Sequence, residues 1–139
     1  MDTEARWIAF QFPADDRLLT SAAGAVAHFA RRAGLPTAAG DELATATEAA
    51  CRDTFKLLPA GNGTIEVRVD RRSDSLEVTI SHRGEAQPSV GLDTFAGAAA
   101  GEEGGITGLA LLANVDRVQY QTEGGVSKMV LVKYFSGKA

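Results

Sequence analysis

The chain has 139 residues, 45% of them hydrophobic, which suits one compact domain with a substantial core and is too little for two. Its formal charge of −4 argues against a nucleic-acid binder, because such proteins spread a basic field over one face to meet phosphate backbones. No apolar run approaches the roughly 20 residues of a membrane span, and the opening stretch with Asp2, Glu4 and Trp7 lacks the basic and apolar regions of a signal peptide, so no membrane partner and a cytoplasmic location are expected.

Taken in order, Arg6 to Phe12 sets Trp7, Ile8, Phe10 and Phe12 among polar residues in near alternation, the pattern of a half-exposed strand ended by Pro13. Asp15 or Asp16 can cap a first helix, in which Leu19, Ala22, Ala23, Val26, Phe29, Ala30 and Ala33 recur at helical spacing until Gly34-Leu35-Pro36 stops it. A second helix runs to about Leu58, with Leu43, Thr47, Ala50, Cys51 and Leu58 on one stripe and Pro59 to Gly63 as terminator. Its alanine-rich face permits close packing. Thr64 to Val69 and Leu76 to Ser81 alternate around a turn at Asp70 to Ser75, which reads as an antiparallel hairpin.

From His82 to Glu103 periodicity gives way to Gly, Ala, Ser and Pro. That predicts a loop of about 20 residues, longer than compact domains usually carry without a functional reason. A helix over Ile106 to Ala113 follows, then strands near Arg117 to Gln121 and Ser127 to Phe135 joined by Glu123-Gly124-Gly125. The order describes an α+β two-layer sandwich, with helices on one face of a mixed, mainly antiparallel sheet.

Chemistry-bearing residues are sparse. Cys51 is the single cysteine, which excludes an internal disulfide and reads as a small buried hydrophobe, and no cysteine or histidine cluster has metal-ligand spacing. Glu48 and Arg52, four apart on one helical face in the favoured order, can pair for a few tenths of a kcal/mol. Taken alone they read as a solvated pair. His82 reads as a surface or turn histidine and His28 as a packing or boundary residue on the first helix. Glu102 and Glu103 read as solvating the loop. Gly104-Gly105-Ile106-Thr107-Gly108-Leu109 opens directly into an apolar helix, which presents backbone N–H groups to an anion such as phosphate; alone it reads equally well as a flexible connector.

Element order and three motif positions together resemble the GHKL (histidine-kinase-like, Bergerat) ATPase fold, and within it the small stand-alone branch of anti-sigma-factor serine kinases. The resemblance covers nearly the whole chain. In that family a Glu-Ala-x-x-Asn box on the second helix supplies a base or water-orienting Glu and a magnesium-coordinating Asn; the matching stretch is Glu48-Ala49-Ala50-Cys51-Arg52. Glu48 therefore takes the catalytic position, while Arg52 sets a permanent cation where a divalent ion should sit, which makes magnesium doubtful. The family's Asp-x-Gly-x-Gly box, whose Asp accepts a hydrogen bond from the adenine amino group, corresponds to His82-Arg83-Gly84-Glu85-Ala86, with His82 a weaker acceptor and Ala86 in place of a glycine. Gly104, Gly105, Thr107, Gly108 and Leu109 match the phosphate-binding lid hinge, the best preserved of the three boxes.

The resemblance implies ATP as cofactor, a sigma factor or a STAS-type anti-anti-sigma protein as partner, and a homodimer. With metal and adenine ligands both changed, it implies a degenerate serine kinase whose phosphotransfer is weakened or lost. The alternative is a nucleotide-free interaction module of the same fold.

Overall fold

Alternating and helical patterns resolve into five strands and two α-helices across the residues that the computed structural model describes, 6–58, 63–83 and 113–135. Strand β1 (Trp7–Pro13) leads through a 3-10 turn, Asp16–Leu18, into helix α1 (Leu19–Ala33) and then α2 (Thr37–Phe55). Strands β2 (Thr64–Arg71), β3 (Ser75–Arg83), β4 (Arg117–Glu123) and β5 (Val126–Tyr134) follow, and the sheet order is β1-β2-β3-β5-β4. All four ladders are antiparallel, so among the described residues the expected mixed sheet is a purely antiparallel one. The reason is that β5 turns back on β4 and enters beside β3 running opposite to both.

Local chemistry accounts for the boundaries. Asp15 accepts the backbone N–H of Arg17 at 2.9 Å, capping the 3-10 turn that precedes α1. Gly34, at φ 107°, ends α1: its N–H reaches the Ala30 and Arg31 carbonyls, and that of Leu35 bonds Ala30 O at 3.0 Å. α2 stops at Phe55, three residues before the expected Leu58, because the N–H groups of Lys56, Leu57 and Leu58 bond carbonyls three residues back. That tightening still buries Leu58. β1 ends at Pro13 as expected, with the proline itself as the last paired residue, opposite Thr64; an edge strand tolerates a residue without an N–H. Gly124 and Gly125, at φ 60° and 80°, form the two-residue turn between β4 and β5, a geometry that a side chain would strain at both positions.

Ile65, Val67, Val69, Leu76, Val78, Ile80, Met129 and Leu131 point to the side covered by α1 and α2, where they join Leu19, Val26, Phe29 and Leu43 in the core. The helices approach closely at Gly40, where an added Cβ would stand 3.4 Å from Ala30 Cβ. His28 points away from this contact and is exposed, which corrects the expectation of a packing or boundary histidine. The loop expected over 82–103, except for His82 and Arg83, lies outside the described residues. So does the helix expected over 106–113, except for Ala113, which with Asn114 is helical.

Candidate ligand site

His82 is the penultimate residue of β3, which runs two residues beyond its expected end. Alternation from Ile80 turns its ring to the helix-covered face, so it is buried, with 8% of its surface exposed, and not a surface or turn residue. The cross-strand register places it in a row spanning all five strands: Phe12, Ile65, His82, Ser127, Thr122. The row changes from apolar to hydroxylic at His82. There a small cavity of about 50 Å³ opens, lined by Thr54 in the last turn of α2, by Leu57 just beyond it, and by His82, Tyr120, Thr122, Ser127 and Lys128 from the sheet.

The Nδ1 atom of His82 is buried without a hydrogen-bond partner among the described residues. Such an atom is costly to bury unpaired. Burial also lowers the imidazole pKa, since desolvation disfavours the charged ring, so Nδ1 can serve as a neutral acceptor. The Thr54 hydroxyl already donates to Ala50 O at 2.8 Å, leaving its lone pairs toward other partners. Burial, and then the charge of Asp53, raise the Tyr120 pKa and keep the phenol protonated. The cavity thus offers acceptors and hydroxyls against an apolar floor. Across the sheet, a polar groove of about 500 Å³ meets the same strand end between Glu66, Ser81 and Lys128.

On α2, Glu48 and Arg52 pair as the spacing predicts. Arg52 Nη2 donates to Glu48 Oε2 at 2.9 Å, with both side chains partly in water. An exposed pair of this kind contributes about 0.3–0.5 kcal/mol, so its interest lies in chemistry and not in stability. It occupies the carboxylate that would serve as a base. Cys51, one turn after Glu48, is fully buried, and burial followed by the Glu48 charge pushes its thiol up to about 12. The thiol is an inert packing group, as its isolation suggests.

This donor set does not fit magnesium. Among the described residues no three His, Cys, Asp or Glu side chains gather. Glu48 is engaged by a guanidinium, which can only donate and never ligates a cation. Gly84, Ala86, Gly104, Gly105, Thr107, Gly108 and Leu109 lie outside the described residues. Of the three motif positions, Glu48, Arg52 and His82 are thus placed, the first two in contact and the third lining the cavity at the sheet end.

Sequence reasoning missed Thr54, Tyr120, Thr122 and Ser127, all of which wall the cavity. It also missed Lys133, whose side chain, 12% exposed, donates to Glu42 on α2 at 2.8 Å and to the Asn114 carbonyl at 3.0 Å. Beside it, Tyr134 N donates to Asp116 Oδ2 at 2.8 Å and Asp116 N to Val132 O at 2.9 Å. Together these bonds fasten the chain entering β4 to α2 and β5. Alternation along β4 could have marked Tyr120 and Thr122 as sharing the face of Val118; nothing local marks Lys133.

Two helices over an antiparallel sheet, with Glu48 on the second helix and His82 next to the end of β3, set the pattern of one domain class. The family model of the histidine kinase-like ATPase domain matches residues 12–133, and the chain belongs to that family. No curated protein matches it. No helix among the described residues is long and apolar enough to cross a membrane.

Proposed function

We propose that this chain is a regulatory protein of the anti-sigma-factor type, controlling transcription by binding a sigma factor or a STAS-type anti-anti-sigma protein, with ATP-dependent serine phosphotransfer weakened or lost. The observation that carries this reading is the 2.9 Å bond between Arg52 and Glu48. Phosphoryl transfer is largely positioning and charge neutralisation by metal and base. Here the base is paired with a cation fixed on its own helix, and that cation stands where the family's metal ligand is expected.

The test has two arms. Purified sigma factors and STAS proteins from the same organism are titrated against the chain, and phosphotransfer from ATP to the STAS protein is followed for the wild type and for Arg52→Asn with His82→Asp. The reading expects micromolar or tighter binding to one partner, little transfer by the wild type, and higher magnesium-dependent nucleotide affinity in the double variant. Efficient transfer by the wild type, or no binding to any such partner, would sink it.

A nucleotide-free interaction module is the second reading, and Trp7 favours it. This residue, 50% exposed on β1, the edge strand among the described residues, lies beneath the Arg68 guanidinium at 4.3 Å, a rigid aromatic contact at a sheet edge where a second copy could pair. Sedimentation of the wild type and Trp7→Ala distinguishes a dimer formed through this edge from a monomer.

A further inference from the structure

Arginine gathers at the end of the molecule away from His82. β1 runs from the sheet end that holds Trp7 and Asp70 to the end that holds Pro13 and Thr64, α1 returns along it, and Gly34 turns the chain back at the first end. Gly40 beside Ala30, and Glu42 reaching Lys133 next to Leu76, hold this corner between the helices over the same sheet end. α1 lies against β2, and α2 against β3 and β5. The exposed Arg31 and Arg32 of the last turn of α1 therefore share one pole with Arg6, Arg71 and Arg72. The acids of that pole are largely engaged: Asp70 holds Arg68 at 3.0 Å, Glu77 faces Arg72 at 3.5 Å and Glu42 holds Lys133 at 2.8 Å. Among the described residues no carboxylate lies within ion-pair distance of Arg6, Arg31, Arg32 or Arg71.

Arg6 and Arg71 are the informative pair. The Arg71 N–H donates to Arg6 O at 2.8 Å, which continues the register of β1 and β2 one step past Trp7 and Asp70 and sets two arginines directly opposite each other. Like charges so placed weaken a sheet. Arg31 and Arg32 gain from the negative end of the helix dipole, but the cross-strand pair has no such return within the chain beyond the contact of Arg71 with the Phe135 ring at 5.8 Å. We propose that this pole is the docking surface for a short acidic segment of a partner protein, with Arg6 and Arg71 taking its carboxylates and Arg31 and Arg32 flanking them. The proposal rests on the reading that the chain acts by binding another protein, and adds where it binds and by what chemistry. A guanidinium fork meets a carboxylate in two parallel hydrogen bonds and keeps its charge at any physiological pH. A short segment fits better than a nucleic acid, because a phosphate backbone running past the patch meets Asp70, Asp74 and Glu77 on a chain of net charge −4.

The experiment is fluorescence anisotropy of a labelled octaglutamate peptide titrated with the full chain, beside single-stranded DNA of equal charge and vesicles containing phosphatidylserine. Variants are Arg6→Gln with Arg71→Gln, Arg31→Gln with Arg32→Gln, and Arg17→Glu, which changes net charge by the same amount at the other end of α1; circular dichroism and thermal melts establish that each is folded. The wild type should bind the peptide, less tightly as salt rises, and should bind DNA and vesicles about tenfold or more weakly. The Arg6 and Arg71 double variant should lose about tenfold or more, the Arg31 and Arg32 variant about threefold or more, and Arg17→Glu less than about twofold. No peptide binding at low salt overturns the proposal, as do equal losses in Arg17→Glu and the Arg6 and Arg71 variant, or DNA or vesicles bound as tightly as the peptide. The same variants are titrated with sigma and STAS proteins. A partner that binds wild type and the Arg6 and Arg71 variant alike overturns the proposal and leaves the regulatory reading standing; peptide binding at the pole with no such partner bound supports the proposal and removes that reading.

Discussion

Lys133 on β5 and Glu42 on α2, 91 residues apart in the chain, meet at 2.8 Å, and the lysine that bridges them is nearly buried while the glutamate is half in water. The asymmetry decides which partner matters. Replacing Lys133 with Met keeps the apolar stem but removes two hydrogen bonds of a nearly buried ammonium, to Glu42 and to the Asn114 carbonyl, and it should cost about 1–3 kcal/mol. Replacing Glu42 with Gln leaves the lysine its carbonyl and solvent, and should cost under about 1 kcal/mol. Urea denaturation of the two variants tests the order; equal losses would mean that the Asn114 contact contributes nothing.

His82 makes stability depend on pH in a defined direction. Burial depresses its folded pKa below the unfolded value of about 6.5, so the unfolded chain binds the proton more readily. Its contribution is therefore complete above about pH 6.5 and declines as pH falls from there toward the depressed folded value. His82→Phe removes this titration and should flatten the change in urea midpoint between pH 7.5 and 5.5. Asp15, lowered to about 2 by the Arg17 side chain and backbone, acts only in more acidic solution and does not confuse the window. A midpoint slope unchanged in His82→Phe would show that other groups cause it.

Cys51 should be almost unreactive in the native protein. Its thiol is fully buried and pushed up to about 12, so thiolate is scarce and hidden. A chromogenic disulfide reagent at pH 8 should label the native chain about a hundredfold or more slowly than the urea-unfolded chain. Comparable rates would mean that α2 opens readily.

The cost of mutation should divide sharply between the two faces of α2. Leu43→Ala removes a fully buried side chain and should destabilise by about 2–5 kcal/mol, as should Leu131→Ala across the layer. Arg52→Asn breaks only a half-exposed ion pair and should change stability by about 0.5 kcal/mol at most. Thermal melts of the three variants check this, and they establish that binding changes in Arg52→Asn are not folding defects.

Much of the architecture was legible because each element carries its own period. Ile65, Val67 and Val69 alternate on one strand, Leu19, Val26 and Phe29 recur on one helix, and Gly34 and Gly124-Gly125 punctuate at positions that require positive φ. Helix ends were less legible: the switch to shorter hydrogen bonds after Phe55 has no residue signature. His82 was misread because glycine, serine and proline begin immediately after it, although Ile80 two residues earlier fixes its face by simple alternation. The cavity around it was not legible. Ser127 lies beside His82 only because β5 enters between β3 and β4, an order set by long-range pairing that no local pattern encodes.

The same strand order has a consequence for biosynthesis. β4 is made before β5, yet it has no place in the sheet until β5 has paired with β3. While the ribosome is still adding the residues of β5, the three-stranded N-terminal half presents the open edge of β3, with the apolar side chains of Val78 and Ile80 beside it. Unpaired edges of this kind attract other chains. The edge of β3 is therefore covered only once β5 has been made and pairs with it.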